Sequence, residues 1–330
     1  MKPPDFFWIT NMAREIEEML SKWKKVEEIL ITYILTNKCT LKCRHCFEEA
    51  GPENSNFLSL ESIIKISENL KPAFDSLNND SRKISFQLRI TGGDPFLHPQ
   101  FYDIINYFGE NKEKIGFSVS DVETNGWWAS SDSEAYNIIK KVKDAKASKI
   151  SMTNDKFHRE NAKFNVNEHG QRIQKISKEL EMPFRYITSL VPMMENATPI
   201  GRARFEVDEK NWFTGWPAHC ALSKERTAKD GYYISDSYLL KNTHYHINPS
   251  GDIFLCESGK RFKNASLSLG NINEKLFSEI ISNDTPVIKS LKENGIKGLY
   301  NHFGFSEEHY ENNLKRFGYC GSCHELLRNL

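Results

Sequence analysis

Between Ile29 and Leu190 the chain alternates, for about five units, between short β-rich apolar runs and stretches with helical spacing. The runs are Ile29–Leu35, Lys83–Ile90, Ile115–Val122, Lys149–Thr153 and Phe184–Leu190. Residues 59–71, 99–110, 132–145 and 168–181 carry the helical spacing; Ser59 is placed to cap the first, with Glu61 in its first turn and Pro72 as its stop. Alternation of this kind calls for βα units and a parallel sheet. Each run also ends in a polar or glycine-rich turn, and in a β/α barrel the chemistry gathers at those C-terminal strand ends. The predicted class is therefore α/β, with a barrel-like unit over residues 29–210. An amphipathic helix over 12–28, within a leading segment 1–28, precedes it. After about residue 205 the rhythm changes. Tyr232–Ile247 and Asp252–Leu255 read as strands around the turn Asn248-Pro249-Ser250-Gly251, and the tail from 272 reads as helical. Residues 211–330 are thus expected to form a second unit, a β-hairpin plus helices.

The first strand runs into Cys39-Thr40-Leu41-Lys42-Cys43-Arg44-His45-Cys46. A cubane 4Fe–4S cluster has four irons, each wanting a ligand beyond its sulfides. Three thiolates leave one iron open, and an open metal position can take a substrate through oxygen or nitrogen. Two other readings exist. Cys43 and Cys46 alone make a redox CxxC, which has no use for Cys39. Zinc held by the three thiols and His45 is a poor geometric fit, because His45 adjoins Cys46 in sequence.

Composition narrows the setting. The 330 residues, 39% hydrophobic and 27% charged, suffice for one large domain with an appendage. Lys plus Arg equals Asp plus Glu at 44 each, so there is no long-range pull toward nucleic acid or an anionic membrane. The opening MKPPDFFWITNM is not a secretory signal, and no run approaches the roughly 18 apolar residues of a membrane span. The expected location is the cytoplasm, where thiols stay reduced, so seven cysteines point to metal rather than disulfides.

The spacing of Cys39, Cys43 and Cys46 resembles the CxxxCxxC signature of the radical S-adenosylmethionine (SAM) superfamily. In that family the open iron chelates the amino and carboxylate groups of SAM, and an electron from the cluster splits SAM into methionine and a hydrogen-abstracting 5′-deoxyadenosyl radical. The resemblance implies a partial (β/α)6 TIM-type barrel. Thr91-Gly92-Gly93-Asp94-Pro95 is similar to the family's GGE motif, with Asp94 in place of Glu, and implies that Gly92, Gly93 and Asp94 hold the amino group of SAM. Glycines permit close backbone approach to a ligand. Asn125, in Thr124-Asn125-Gly126, resembles the ribose-contacting position. Thr153 and Asp155 resemble a Ser-x-Asp pattern facing the nucleoside, and Arg202, in Pro199-Ile200-Gly201-Arg202-Ala203, resembles a stretch of peptide-modifying members. Turn and cap chemistry accounts for Asn, Thr and Asp at such places equally. Asp155 and His158 are an acid–base candidate pair, and Glu257 is a further catalytic candidate.

Four cysteines remain, the number a protein-ligated second cluster needs. Gly251-Asp252-Ile253-Phe254-Leu255-Cys256 resembles the GxxxxC hairpin of SPASM and Twitch auxiliary-cluster domains, and Cys320-Gly321-Ser322-Cys323 their late CxxC. The resemblance implies Cys220, Cys256, Cys320 and Cys323 as ligands of one auxiliary 4Fe–4S cluster, closer to Twitch than to a full SPASM domain. Cys220 lies farther upstream than the usual pattern. A four-thiolate zinc site is the rival, and CxxCH at 320–324 also fits c-type haem attachment, which occurs outside the cytosol. His244 and His246 share a face of a predicted strand and are equally explained as strand residues.

Proteins with this pairing modify ribosomally made peptides or oxidise small molecules. The resemblance implies hydrogen abstraction from a peptide, followed by oxidation, crosslinking or backbone cleavage. Epimerisation by a thiol donor is disfavoured because Glu257 follows Cys256 and no cysteine is spare; it would need a non-cysteine hydrogen donor. A small-molecule dehydrogenase with the same two clusters fits the same residues, as does, outside enzymes, a zinc-stabilised binding protein. A reductant such as flavodoxin or ferredoxin is expected. With no room before Ile29 for a peptide-recognition domain, a leader peptide is expected to bind a separate protein or the barrel itself.

Overall fold

A computed structural model describes residues 28–43, 46, 48–78, 85–187, 242–254, 268–282 and 285–328. The elements are β1 (Glu28–Ile34), α1 (Leu60–Asn78), β2 (Ser85–Thr91), α2 (Phe101–Glu110), α3 (Lys112–Ile115), β3 (Val119–Thr124), α4 (Asp132–Asp144), β4 (Ile150–Thr153), α5 (Lys156–Asn161), α6 (Val166–Glu179) and β5 (Phe184–Ile187). After them come β6 (Asn242–Ile247), β7 (Asp252–Phe254), β8 (Ser268–Asn271), α7 (Phe277–Ser282), α8 (Pro286–His302) and α9 (Glu307–Arg328). One open sheet runs in the order β5-β4-β3-β2-β1-β6-β7-β8. Its first six strands are parallel, and β7 and β8 add antiparallel. The architecture is the α/β class expected, an unclosed barrel-type sheet. The hairpin does not start a sheet of its own: β6 pairs with the free side of β1, so one ladder runs unbroken from the parallel strands into the hairpin.

Several boundaries differ from the sequence reading. Pro72 does not stop α1, which runs on to Asn78. A proline removes one backbone donor, but Leu70, Phe74 and Leu77 keep the apolar spacing going past it. Ile115 lies in the short α3, closed by Gly116 at φ +85°, so the third strand starts at Val119. Helix α5 and strand β8 carry too little periodicity to be visible in sequence. In the hairpin turn, Asn248 Oδ1 accepts from the N–H groups of Ser250 and Asp252, both at 2.9 Å.

The two faces of the sheet differ in chemistry. In a parallel ladder, registered partners point to the same side. One side carries Tyr245, Ile31, Tyr33, Leu88, Ile90, Val122, Ile150 and Met152, which form a single buried core with helix residues such as Ile63, Ile66, Phe108, Ile139 and Ile173. The register gives the other side His246, Thr32, Arg89, Asp121, Glu123, Ser151 and Arg185. Arg89 Nε meets Glu123 Oε1 at 3.1 Å. Asp121, buried, accepts from Ser151 Oγ at 2.7 Å and pairs with Lys149 (3.1 Å) and Arg185 (3.2 Å). A β/α barrel whose interior is only a core fills it with branched apolar side chains. This side is a charged row instead.

Asp121→Ala should lower the unfolding free energy by about 1–3 kcal/mol in urea titration, since it strands two cations whose part exposure weakens but does not remove their mutual repulsion.

Candidate functional site

The site is built from the turns after β1, β2 and β3. The loop after β1 is pinned to the turn after β2 by backbone bonds: Gly93 N–H to Thr36 O (2.7 Å), Asp94 N–H to Lys38 O (2.9 Å) and Leu35 N–H to Thr91 O (2.9 Å). This contact explains the two glycines. A Cβ on Gly92, which sits at φ +150°, would lie 2.4 Å from Thr36 O, and one on Gly93 would lie 2.2 Å from Lys38 O. The close approach made by Gly92 and Gly93 here is to the cysteine loop. The loop is closed from its far end as well, where Asn37 Nδ2 donates to Glu48 O (2.9 Å) and Asn54 Nδ2 to Asn37 O (3.0 Å).

Cys39 and Cys43 are buried in a small cluster with Leu41 and Ala50, against which Cys46, Ala162 and Phe164 pack. Leu41 N–H and Asn125 Nδ2 both donate to Cys39 Sγ at 3.4 Å, and Ala50 N–H donates to Cys46 Sγ at 3.4 Å. Burial, with Asp94 and Cys46 nearby, pushes the Cys39 thiol up to about 12. A bare thiolate is therefore disfavoured, whereas soft thiolate donors in an apolar pocket suit iron–sulfur ligation. Among the described residues no three His, Cys, Asp or Glu side chains converge as a single-ion site.

Asp94 is fully buried. Its Oδ2 accepts from Thr124 Oγ1 (2.7 Å) and Asn125 N–H (2.9 Å), and its Oδ1 accepts from Phe96 N–H (3.1 Å). Thr124 Oγ1 accepts in turn from Gly126 N–H (3.0 Å) and Trp128 Nε1 (3.1 Å). Burial raises the Asp94 carboxyl to about 6 against these bonds. Asp94 thus ties the end of β2 to the end of β3 in this structure, and the sequence offered no sign of Thr124 as its partner or of Trp128 as the donor to Thr124. Asn125 Oδ1 accepts from Trp127 N–H at 3.0 Å.

At the end of β4, Thr153 Oγ1 donates to Thr124 O (3.3 Å). Asp155 caps α5, accepting from His158 N–H (3.0 Å), and lies 2.8 Å from His158 Nδ1. The structure brings this candidate pair together, and the cap supplies a local reason for it. The charged row, with Arg89 and Glu123, was missed in the sequence. Its signal was there as charges alternating with apolar residues in Leu88–Thr91 and Val119–Thr124. Cys320 and Cys323 lie one turn apart along α9; Cys323 is half-buried, and the carbonyl of Ser322 between them accepts from Tyr300 Oη at 3.0 Å. Arg202, Cys220, Cys256 and Glu257 lie outside the described residues. Among the described residues no helix is long and apolar enough to cross a membrane.

A radical SAM superfamily model matches residues 33–181, and an iron–sulfur cluster-binding SPASM model matches residues 240–324. Residues 33–181 thus carry a radical SAM superfamily domain. An iron–sulfur cluster-binding SPASM domain follows it, and the cofactors of the two domains are SAM and iron–sulfur clusters. The antilisterial bacteriocin subtilosin biosynthesis protein AlbA of Bacillus subtilis is 34% identical over 95 residues, covering 29% of this chain and 18% of AlbA. GTP 3′,8-cyclase of Cronobacter sakazakii is 29% identical over 135 residues, covering 37% of each chain. These matches thus span well under two thirds of either relative. The crystal structure of Streptococcus suis SuiB bound to precursor peptide SuiA superposes with a TM-score of 0.50 at 14% identity, over 98% of this chain and 82% of that one, which supports the fold.

Two outcomes are expected. Gly93→Ala should cost about 1–3 kcal/mol of stability, because its Cβ meets backbone rather than a side chain that can move; chemical denaturation reads this. Asp94 should make stability fall as pH rises from about 4 to 6, by up to about 3 kcal/mol. Over that range the fold holds a proton that the unfolded chain has already lost. Urea titrations at stepped pH should show a shallower slope for Asp94→Asn.

Proposed function

We propose that this protein acts on a ribosomally made peptide, abstracting a hydrogen atom and leaving the substrate oxidised, crosslinked or cleaved. The observation that carries the site assignment is the docking of the three-cysteine loop onto the glycine turn and Asn125. In this reading Cys39, Cys43 and Cys46 hold the first cluster, and Cys220, Cys256, Cys320 and Cys323 hold an auxiliary one. When bound, the first cluster and SAM together supply one-electron reductive cleavage of SAM to a hydrogen-abstracting radical.

The chain's own residues do the rest. The apolar wall of Leu41, Ala50, Ala162 and Phe164 keeps water from the thiolates. Gly92, Gly93, Asn125, Thr153, Asp155 and Arg202 form the cofactor side in this reading. Asp94 supports it from within, holding the turns in place through Thr124 and Asn125. Asp155 orients His158 through its Nδ1 as the candidate acid–base pair, and Glu257 is the second candidate. In the charged row, the partly exposed Arg89, Glu123 and Arg185 give a polar substrate a surface with donors and acceptors, and buried Asp121 holds Arg185 in place. The AlbA match supports a peptide substrate. The GTP 3′,8-cyclase match favours a small-molecule substrate as the second reading.

Anaerobically reconstituted protein with SAM and a strong reductant should release 5′-deoxyadenosine, and Cys39→Ala, Cys43→Ala or Cys46→Ala should abolish it. About eight irons per chain are expected from two cubanes. Precursor peptides should accelerate the release; acceleration by nucleotides, alcohols or amino sugars alone would select the second reading, and zinc without iron would sink both.

A further inference from the structure

The amide of Asn125 is held in one orientation from three sides. It is almost fully buried, with 4% of its surface exposed. Its backbone N–H is bound to the Asp94 carboxylate at 2.9 Å. Its Oδ1 takes the Trp127 N–H at 3.0 Å, which settles which end of the amide is oxygen. Its Nδ2 therefore faces the cysteine loop as a donor, 3.4 Å from Cys39 Sγ and 3.2 Å from Thr40 Oγ1. Both amide hydrogens are committed there, and turning the amide over would set Nδ2 against the Trp127 N–H.

We propose that Asn125 is a positioning residue that donates a hydrogen bond to the Cys39 thiolate and thereby raises the reduction potential of the cluster that thiolate holds. The inference rests on the reading of Cys39 as a cluster ligand. Reduction adds negative charge to an iron–sulfur centre, and a donor pointed at a ligand sulfur stabilises the more negative state. The direction follows from the sign of the dipole alone. Leu41 N–H makes a second bond to the same sulfur, but it comes from the loop itself. Asn125 comes from the end of β3, and Asp94 on the neighbouring turn fixes it, so the packing of three strand ends is converted into an electronic effect on one sulfur. This assigns Asn125 a role toward the cluster in addition to the cofactor contact its sequence position suggested.

The test compares the full-length wild type with Asn125→Ala and with Asn125→Asp, which keeps the shape but replaces the donor with a negative charge. Each protein is reconstituted with iron and sulfide, its iron is counted, and the EPR signal of the reduced cluster is titrated against ambient potential. A Cys39→Ala/Cys43→Ala/Cys46→Ala variant supplies the background from any other cluster. The expected result is wild-type iron content in Asn125→Ala, a midpoint shifted to lower potential, and a further downward shift in Asn125→Asp. An unchanged midpoint at full iron content overturns this inference alone. A wild type that takes up no iron at the first site overturns the cysteine assignment and this inference with it. If the variants fail to assemble, the wild type still decides. Pulsed EPR of protein labelled at the asparagine side-chain nitrogen should show that nitrogen coupled to the reduced centre, and absence of the coupling overturns the inference.

Discussion

Asp94 stands where the ends of β2 and β3 meet, and the order of the whole site passes through its carboxylate. Burying a carboxylate is costly unless hydrogen bonds replace the lost water. Here two backbone N–H groups and one hydroxyl do so, drawn from two separate turns. Burial still outweighs them, since the group stays raised to about 6. The gain is positional. One side chain fixes Thr124 and Asn125 relative to Gly93, while the backbone of Gly93 and Asp94 fixes the cysteine loop. A half-satisfied arrangement would be worse than an apolar one, which is why so many partners converge on Asp94 and Thr124.

The sheet separates two kinds of chemistry. Its helix-covered side is continuous hydrocarbon and aromatic packing, as in the stacked Tyr33–Phe108 pair with ring centres 6.0 Å apart. Its other side carries paired charges at the same register positions. Strand alternation produces this division with no further device. The charged row lies next to the strand ends that carry the cysteine loop, Gly92 and Asn125. A polar surface beside the site is what a polar substrate would need, and a packed apolar interior would deny it.

Most of the fold was legible because it rests on local rules. Alternating apolar runs and helical spacings located the parallel strands between β1 and β5 to within a few residues, and Ser59 stands as the cap at the start of α1, accepting from Ser62 N–H at 3.1 Å. Where local rules compete, the reading failed. Pro72 reads as a stop but is carried through by apolar spacing on both sides of it. The pairing of β6 with β1 is a contact between segments far apart in sequence, and no periodicity encodes which edge a strand will join.

The sequence by itself determined the chemistry on offer: three thiols at a spacing that suits an open iron, two glycines, and an acid at the end of the next strand. Those are properties of residue type and local order. Only the tertiary structure decided how they are used. It turned the Asp94 carboxylate inward, set the glycines against the backbone of Thr36 and Lys38, and aimed the Asn125 amide at Cys39. Each of these depends on which turns lie within a few ångströms of one another, and that is fixed by strand register and core packing rather than by any residue's own preference.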